Sequence, residues 1–62
     1  MNINYDKEAD ALYIEFKKGK SSKNRKLDDL TIMDLDKEGK IMGIEILDAS
    51  KRLPPKSINT TN

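Results

Sequence analysis

Two short stretches near the start of the chain alternate apolar and polar residues, which is the pattern of half-buried strands. In the first, Ile3 and Tyr5 alternate with asparagines. The second places three apolar residues on one face, namely Leu12, Ile14 and Phe16. Between them, the carboxylate of Asp6 can accept the backbone amides that follow it, so a tight turn is predicted there. The simplest interpretation is a hairpin.

A second pair of apolar stretches, residues 30–36 and 41–48, is joined by a turn in which Gly39 can supply the left-handed residue. Two registers are open. If Asp36 pairs with Lys40, one face collects Leu30, Ile32, Met42, Ile44 and Ile46, with Asp34 among them. If Asp36 pairs with Ile41, one face collects Met33, Leu35, Met42, Ile44 and Ile46. We favour the second, because it places the acidic residues on the outer face.

The remaining segments predict loops, a short helix and a tail. Residues 17–26 contain six cations and nothing apolar, which predicts a solvated loop. Gly43 inside a strand indicates a bulge or the close approach of another backbone. Asp48 is predicted to cap a helix over residues 49–53, which the two prolines that follow bring to an end.

The pattern as a whole predicts the architecture of the domain. The fold class expected is α+β, mainly β: a four-stranded antiparallel sheet of two hairpins with a short C-terminal helix. Residues 1–53 form a single β-rich domain, and residues 54–62 a flexible tail. We also expect this small domain to dimerise, because a chain without disulfides or metals often completes its core against a second copy.

Composition narrows the possible functions. The chain has 62 residues, with Lys+Arg 12 against Asp+Glu 11, and neither cysteine nor histidine. A thiol nucleophile, a histidine base and a zinc cluster are therefore excluded, and a chain this short seldom forms a catalytic cleft. We expect no enzyme activity, no cofactor and no metal. No stretch is apolar enough to span a membrane, and the first ten residues lack the apolar region of a signal peptide, so a cytoplasmic location is expected.

Three blocks of the sequence resemble a known family. They are residues 5–14 (YDKEADALYI), 34–40 (DLDKEGK) and 43–50 (GIEILDAS). Together they resemble the short prokaryotic family called domain of unknown function 2283, over roughly residues 3–53. The resemblance implies a compact β-rich fold and no established activity. It also suggests an antitoxin or immunity role, since some members are encoded beside small toxin-like ribonucleases.

One local motif suggests a calcium site. Asp34 and Asp36, with Gly39 and then Glu45, nearly fit the spacing of an EF-hand loop, in which such oxygens wrap a hard cation. Glu38 is too long for its position, the preceding residues favour a strand over a helix, and only one loop is present. An acidic turn beside a solvated face is therefore the preferred interpretation. A single calcium site at 34–45 is the third functional hypothesis.

The basic loop 17–26 and the aromatic residues are the other candidates. Six cations in ten residues can neutralise phosphates, although no aromatic residue among them could stack on bases. A solvated loop is favoured over a nucleic-acid contact. Phe16 is predicted in the core. Tyr13, on the opposite face, is predicted at its rim, with an anchor for a partner as the alternative.

The function expected is a self-associating protein–protein interaction module. Its first partner is itself, as a homodimer or higher oligomer, and a toxin is a possible second. The alternative is a regulator that contacts nucleic acid through loop 17–26.

Overall fold

A computed structural model describes residues 1–58 of the chain. Five strands and two very short helices follow one another along it. They are β1 (Asn2–Asp6), β2 (Ala11–Glu15), β3 (Lys23–Asp28), β4 (Thr31–Leu35), β5 (Ile41–Leu47), α1 (Ala49–Arg52) and the 3₁₀ helix η1 (Pro55–Ile58). The protein is therefore mainly β, with an antiparallel sheet and a short C-terminal helix, as the sequence predicted.

The strands form one antiparallel sheet in the spatial order β1-β2-β5-β4-β3. β3, β4 and β5 are consecutive neighbours, whereas β2 reaches its place beside β5 through the long connection of residues 16–22. This arrangement is a Greek key. The connection is held at both ends, because the amides of Phe16 and Lys17 donate to the Met42 carbonyl (2.7 and 3.1 Å) and the amide of Ser22 donates to the Leu35 carbonyl (2.7 Å).

The sheet has five strands, so the prediction of four is wrong. The additional strand is β3, which includes the last four residues of the segment predicted as a solvated loop. All of its residues are exposed, so it carries no apolar periodicity by which it could be recognised. The segment is held as a strand by backbone pairing with β4. The pairing extends from Lys23 opposite Leu35 to Asp28 opposite Thr31, with a bulge at Leu27. Pairing satisfies the backbone groups of β4 that would otherwise face water.

Both predicted hairpins form. In the first, the amides of Glu8 and Ala9 donate to the Asp6 carboxylate (3.0 and 3.3 Å), which confirms Asp6 as the turn residue. In the second, Gly39 has the expected positive φ of 85°.

Each of the two registers considered for the second hairpin describes part of it. Beside the turn, the amide of Asp36 donates to the carbonyl of Lys40 (2.9 Å), as in the first register. Beyond a bulge next to Leu35, the pairing follows the favoured register, with Asp34 opposite Gly43 and Met33 opposite Ile44. The bulge shifts the pairing by one residue and joins the two registers.

Helix α1 begins in a way that the sequence did not predict. Asp48 occupies the N-cap position in a left-handed conformation, and its side chain makes no capping hydrogen bond. The carboxylate of Asp10 takes that role from the β1–β2 turn by accepting the amide of Ser50 (3.0 Å). Within the predicted tail, Pro55–Ile58 form the helix η1. The rest of that tail, residues 59–62, lies outside the described residues.

The hydrophobic core is small. In the part of the chain that the structure describes, five apolar residues are buried: Ala11, Leu12, Leu35, Met42 and Ala49. Among residues 1–58, no large side chain falls below 2% exposure. A single sheet with eight helical residues beside it cannot enclose a larger core, because a stable layer of strands needs a second layer across its apolar face.

Candidate functional site

The sheet has one apolar face, which can be followed from strand to strand because directly paired residues point to the same side. Ile3 pairs with Ile14, Ile14 with Ile44, and Ile44 with Met33, so four apolar side chains form a row across four strands. Arg25 on β3 ends the row. We call these four residues the central row.

The central row is only partly covered. Ile3 is 46% exposed, and Ile14, Met33 and Ile44 are only half-buried although Ile14 and Ile44 lie on interior strands of the sheet. Phe16, two residues beyond Ile14, is 50% exposed, so the prediction that it is a core residue is wrong. Within the described part of the chain, helices make only marginal contact with the strands. The centre of the apolar face is therefore open.

Helix α1 is fastened to one end of the sheet by Asp10. Its carboxylate accepts the hydroxyl of Tyr5 (2.7 Å) and both the hydroxyl and the amide of Ser50 (2.7 and 3.0 Å). On the other side, the Arg52 guanidinium donates to the Leu30 carbonyl (2.6 Å) and to Thr31 Oγ1 (2.7 Å). Tyr5 and Thr31 belong to the apolar face, so α1 lies at the end of that face and leaves its centre free.

Three aspartates that accept hydrogen bonds are stabilised in their charged form. The Tyr5 hydroxyl, followed by Ser50, lowers the pKa of Asp10 below the ordinary value of 3.8. The Lys40 amide does the same for the pKa of Asp36, and the Leu30 amide for the pKa of Asp28. A depressed carboxyl pKa stabilises the fold above the unfolded value, and that stability is lost as the pH falls through the folded value.

Asp10→Asn is therefore expected to lower stability at neutral pH and to flatten the loss of stability below pH 3.8. Chemical unfolding followed by circular dichroism at a series of pH values measures both effects. Tyr5→Phe removes the largest cause of the lowered Asp10 pKa and should also flatten the loss of stability at low pH, by a smaller amount. A loss of stability at low pH that Asp10→Asn leaves unchanged would contradict the role given to Asp10.

On the opposite face, Tyr13 lies across Gly43. A β-carbon at position 43 would overlap the Tyr13 ring and come within 2.9 Å of the Ile14 carbonyl oxygen. The Tyr13 hydroxyl donates to Asp34 Oδ2 (2.9 Å), on the residue that pairs with Gly43. Burial, followed by this hydrogen bond, raises the pKa of Tyr13 to about 12. Gly43 thus lies beside a bulge, and both the Tyr13 side chain and the Ile14 backbone approach it closely.

The acidic residues of the proposed calcium loop are separated. In the β4–β5 turn, the Asp36 carboxylate accepts hydrogen bonds from the amides of Glu38 and Lys40 (both 2.9 Å). It also accepts one from the ammonium of Lys17 (3.2 Å). Asp34 binds Tyr13, and Glu45 lies between Tyr13 and Ile32 in the sheet. Over residues 1–58 no group of three acidic side chains is placed to hold a metal ion. The geometry gives the calcium hypothesis no support.

The cations of residues 17–26 lie along one edge of the sheet and the connection that leads to it. Lys17 is paired with Asp36, and the other ion pair in the described residues joins Arg52 to Asp28. We call the remaining set the basic edge: Lys18, Lys20, Lys23, Arg25 and Lys26. All five side chains are exposed. The sequence identified these residues as a charged patch but not the strand that carries three of them.

These features define a small single-sheet protein with an open apolar face and a basic edge. In the described residues, neither helix has the length or apolar character needed to cross a membrane. The family described as "Protein of unknown function (DUF2283)" matches residues 2–50, and the chain belongs to this family. The resemblance inferred from the sequence is thus confirmed.

A similar protein is the "Uncharacterized protein MJ0789" of Methanocaldococcus jannaschii, which is 47% identical over 51 residues. The match covers 82% of this chain and 43% of that protein, so the chain spans less than half the length of this relative. No solved structure matches the chain.

Proposed function

We propose that the protein is a self-associating, non-enzymatic interaction module of the cytoplasm, and that the apolar face of the sheet is its contact surface. The observation that supports the proposal is the open central row, in which four apolar side chains cross the sheet without a covering layer. Burying such surface is the main favourable contribution to protein association.

A second copy of the chain fits this surface best. A sheet with one apolar face is normally covered by a second sheet about 10 Å away, and an identical sheet supplies a layer of matching width. The row begins at Ile3 on β1 and ends at Arg25 on β3. A twofold axis parallel to the strands would place β3 of each copy over β1 of the other. The two Arg25 side chains would then be held apart, and no like charges would meet.

Ile3→Lys is expected to weaken self-association by at least about 100-fold, since the new cation would face Arg25 of the second copy and a buried unpaired charge costs several kcal/mol. Ile3 is half-exposed in the single chain, so the fold should survive the change. Light scattering at low and high salt measures the result. The unmodified chain should have about twice the 7.1 kDa mass of one chain at both salts, and the variant the mass of one chain.

Asn4→Lys is the matched control, because it adds the same charge to the next residue of β1, on the opposite face. It should leave the dimer intact. An unmodified chain that is monomeric at both salts, or equal dissociation by both variants, would overturn the proposal. A chain that is monomeric alone but binds a toxin-like protein through Ile3 would assign this face to a different partner and would also overturn self-association.

A further inference from the structure

The basic edge is where charge of one sign is most concentrated in the molecule. Its five cations lie within residues 18–26, a stretch that contains no acid, while the other seven cations of the chain are outnumbered by eleven acids. None of the five forms an ion pair within residues 1–58. A nearly neutral protein thus carries a concentrated positive edge, and the rest of its surface is net negative.

Protection of an exposed strand from pairing with other sheets explains only some of the cations of the basic edge. Lysines on an outer strand discourage pairing with other sheets, and Lys23, Arg25 and Lys26 on β3 can serve that purpose. Lys18 and Lys20 lie before the strand, in the connection, where there is no ladder to protect. Pairing also places Arg25 on the apolar face and Lys26 on the opposite face, opposite Ile32. The cations therefore surround the edge and continue past its end.

We propose that the basic edge binds the phosphate backbone of duplex nucleic acid without sequence preference. Adjacent cations on one side of a strand, such as Lys23 and Arg25, are about 6.8 Å apart along it, so an ordered strand presents regularly spaced charges to a regularly charged backbone. Displacement of condensed counterions then favours binding without a shaped pocket. Residues 17–26 contain no aromatic side chain for stacking on unpaired bases, which favours a duplex over a single strand.

An acidic protein is the less suitable partner for this edge. Stable protein interfaces depend on buried aromatic or arginine anchors in packed pockets. All six side chains of β3 are exposed, and none of its three cations forms an ion pair within the described residues. A surface of separate, hydrated cations matches a uniform polyanion better.

The test compares two triple variants of equal charge. In the first, Lys18, Lys20 and Lys26 are all changed to serine, which leaves Arg25 of the apolar face unchanged. In the matched control, Lys7, Lys51 and Lys56, which lie outside the basic edge, are changed to serine. Fluorescence anisotropy with a labelled mixed-sequence DNA duplex is recorded over a series of salt concentrations. We expect the first variant to bind at least about 10-fold more weakly and its salt slope to fall by about 2 to 3, since each lost phosphate contact removes about 0.9.

The control variant should keep the binding and slope of the unmodified chain. Equal losses in the two variants would show that net charge alone is responsible and would overturn the proposal. So would an absence of duplex binding at low salt, or tighter binding to polyglutamate than to the duplex, which would assign the edge to an acidic protein. Light scattering of the first variant should still give the dimer, so this proposal and self-association can fail separately.

Discussion

Replacing Gly43 by alanine is expected to lower the free energy of unfolding by about 3 kcal/mol. The new methyl group would overlap the Tyr13 ring and the Ile14 carbonyl, and overpacking of this kind costs about 1–3 kcal/mol. Moving the ring aside would also break its hydrogen bond to Asp34, worth about 1 kcal/mol. A chain of 62 residues has about 3–9 kcal/mol in total, so the variant should lose between about a third and all of its stability.

Chemical unfolding followed by circular dichroism measures this loss, and a double variant tests its cause. With Tyr13→Leu in place, the ring is gone, and the further cost of Gly43→Ala should shrink, because substitutions at contacting residues are not additive. Gly39→Ala is the comparison for a glycine with free space around it, where only the positive φ of 85° opposes the change, at about 1 kcal/mol. Strictly additive effects at positions 13 and 43 would contradict the proposed contact.

Met42→Ala is expected to cost about 2–5 kcal/mol, the usual range for truncating a buried methionine. Met42 is 3% exposed and is one of only three large side chains in the core described above, so little neighbouring structure can collapse into the space. Ile41→Ala is the matched control, since the adjacent Ile41 is 45% exposed and its truncation should cost less than about 1 kcal/mol. Equal destabilisation by the two variants would show that the core is not centred on Met42.

The sequence was informative wherever a strand has one apolar face. The alternation around Leu12 and Ile14 predicted β2, and Asp6 and Gly39 marked the two hairpin turns. The strand β3 was missed because an edge strand exposed on both sides has no hydrophobic period, and its formation depends on a partner strand that is distant along the chain until the fold exists.

The site was predictable in its composition but not in its geometry. The cations of 17–26 are evident in the sequence, whereas their placement along a strand edge follows from topology. Asp34 and Asp36 were expected on one face with Glu45; Asp34 and Glu45 do share the face of Tyr13, whereas the Asp36 carboxylate binds amides of the β4–β5 turn. The contact of Tyr13 with Gly43 joins two strands, and only the glycine inside a strand pointed to it.

The connection of residues 16–22 determines the order in which the strands can assemble. β3, β4 and β5 are linked by short turns, so their pairing closes small loops, whereas β2 must close a much longer loop to reach β5. We expect these three strands to form first and the β1–β2 hairpin to dock afterwards, bringing Asp10 to Ser50. The central row from Ile3 to Met33 is complete only after that step, so partly folded chains do not present the surface proposed for self-association.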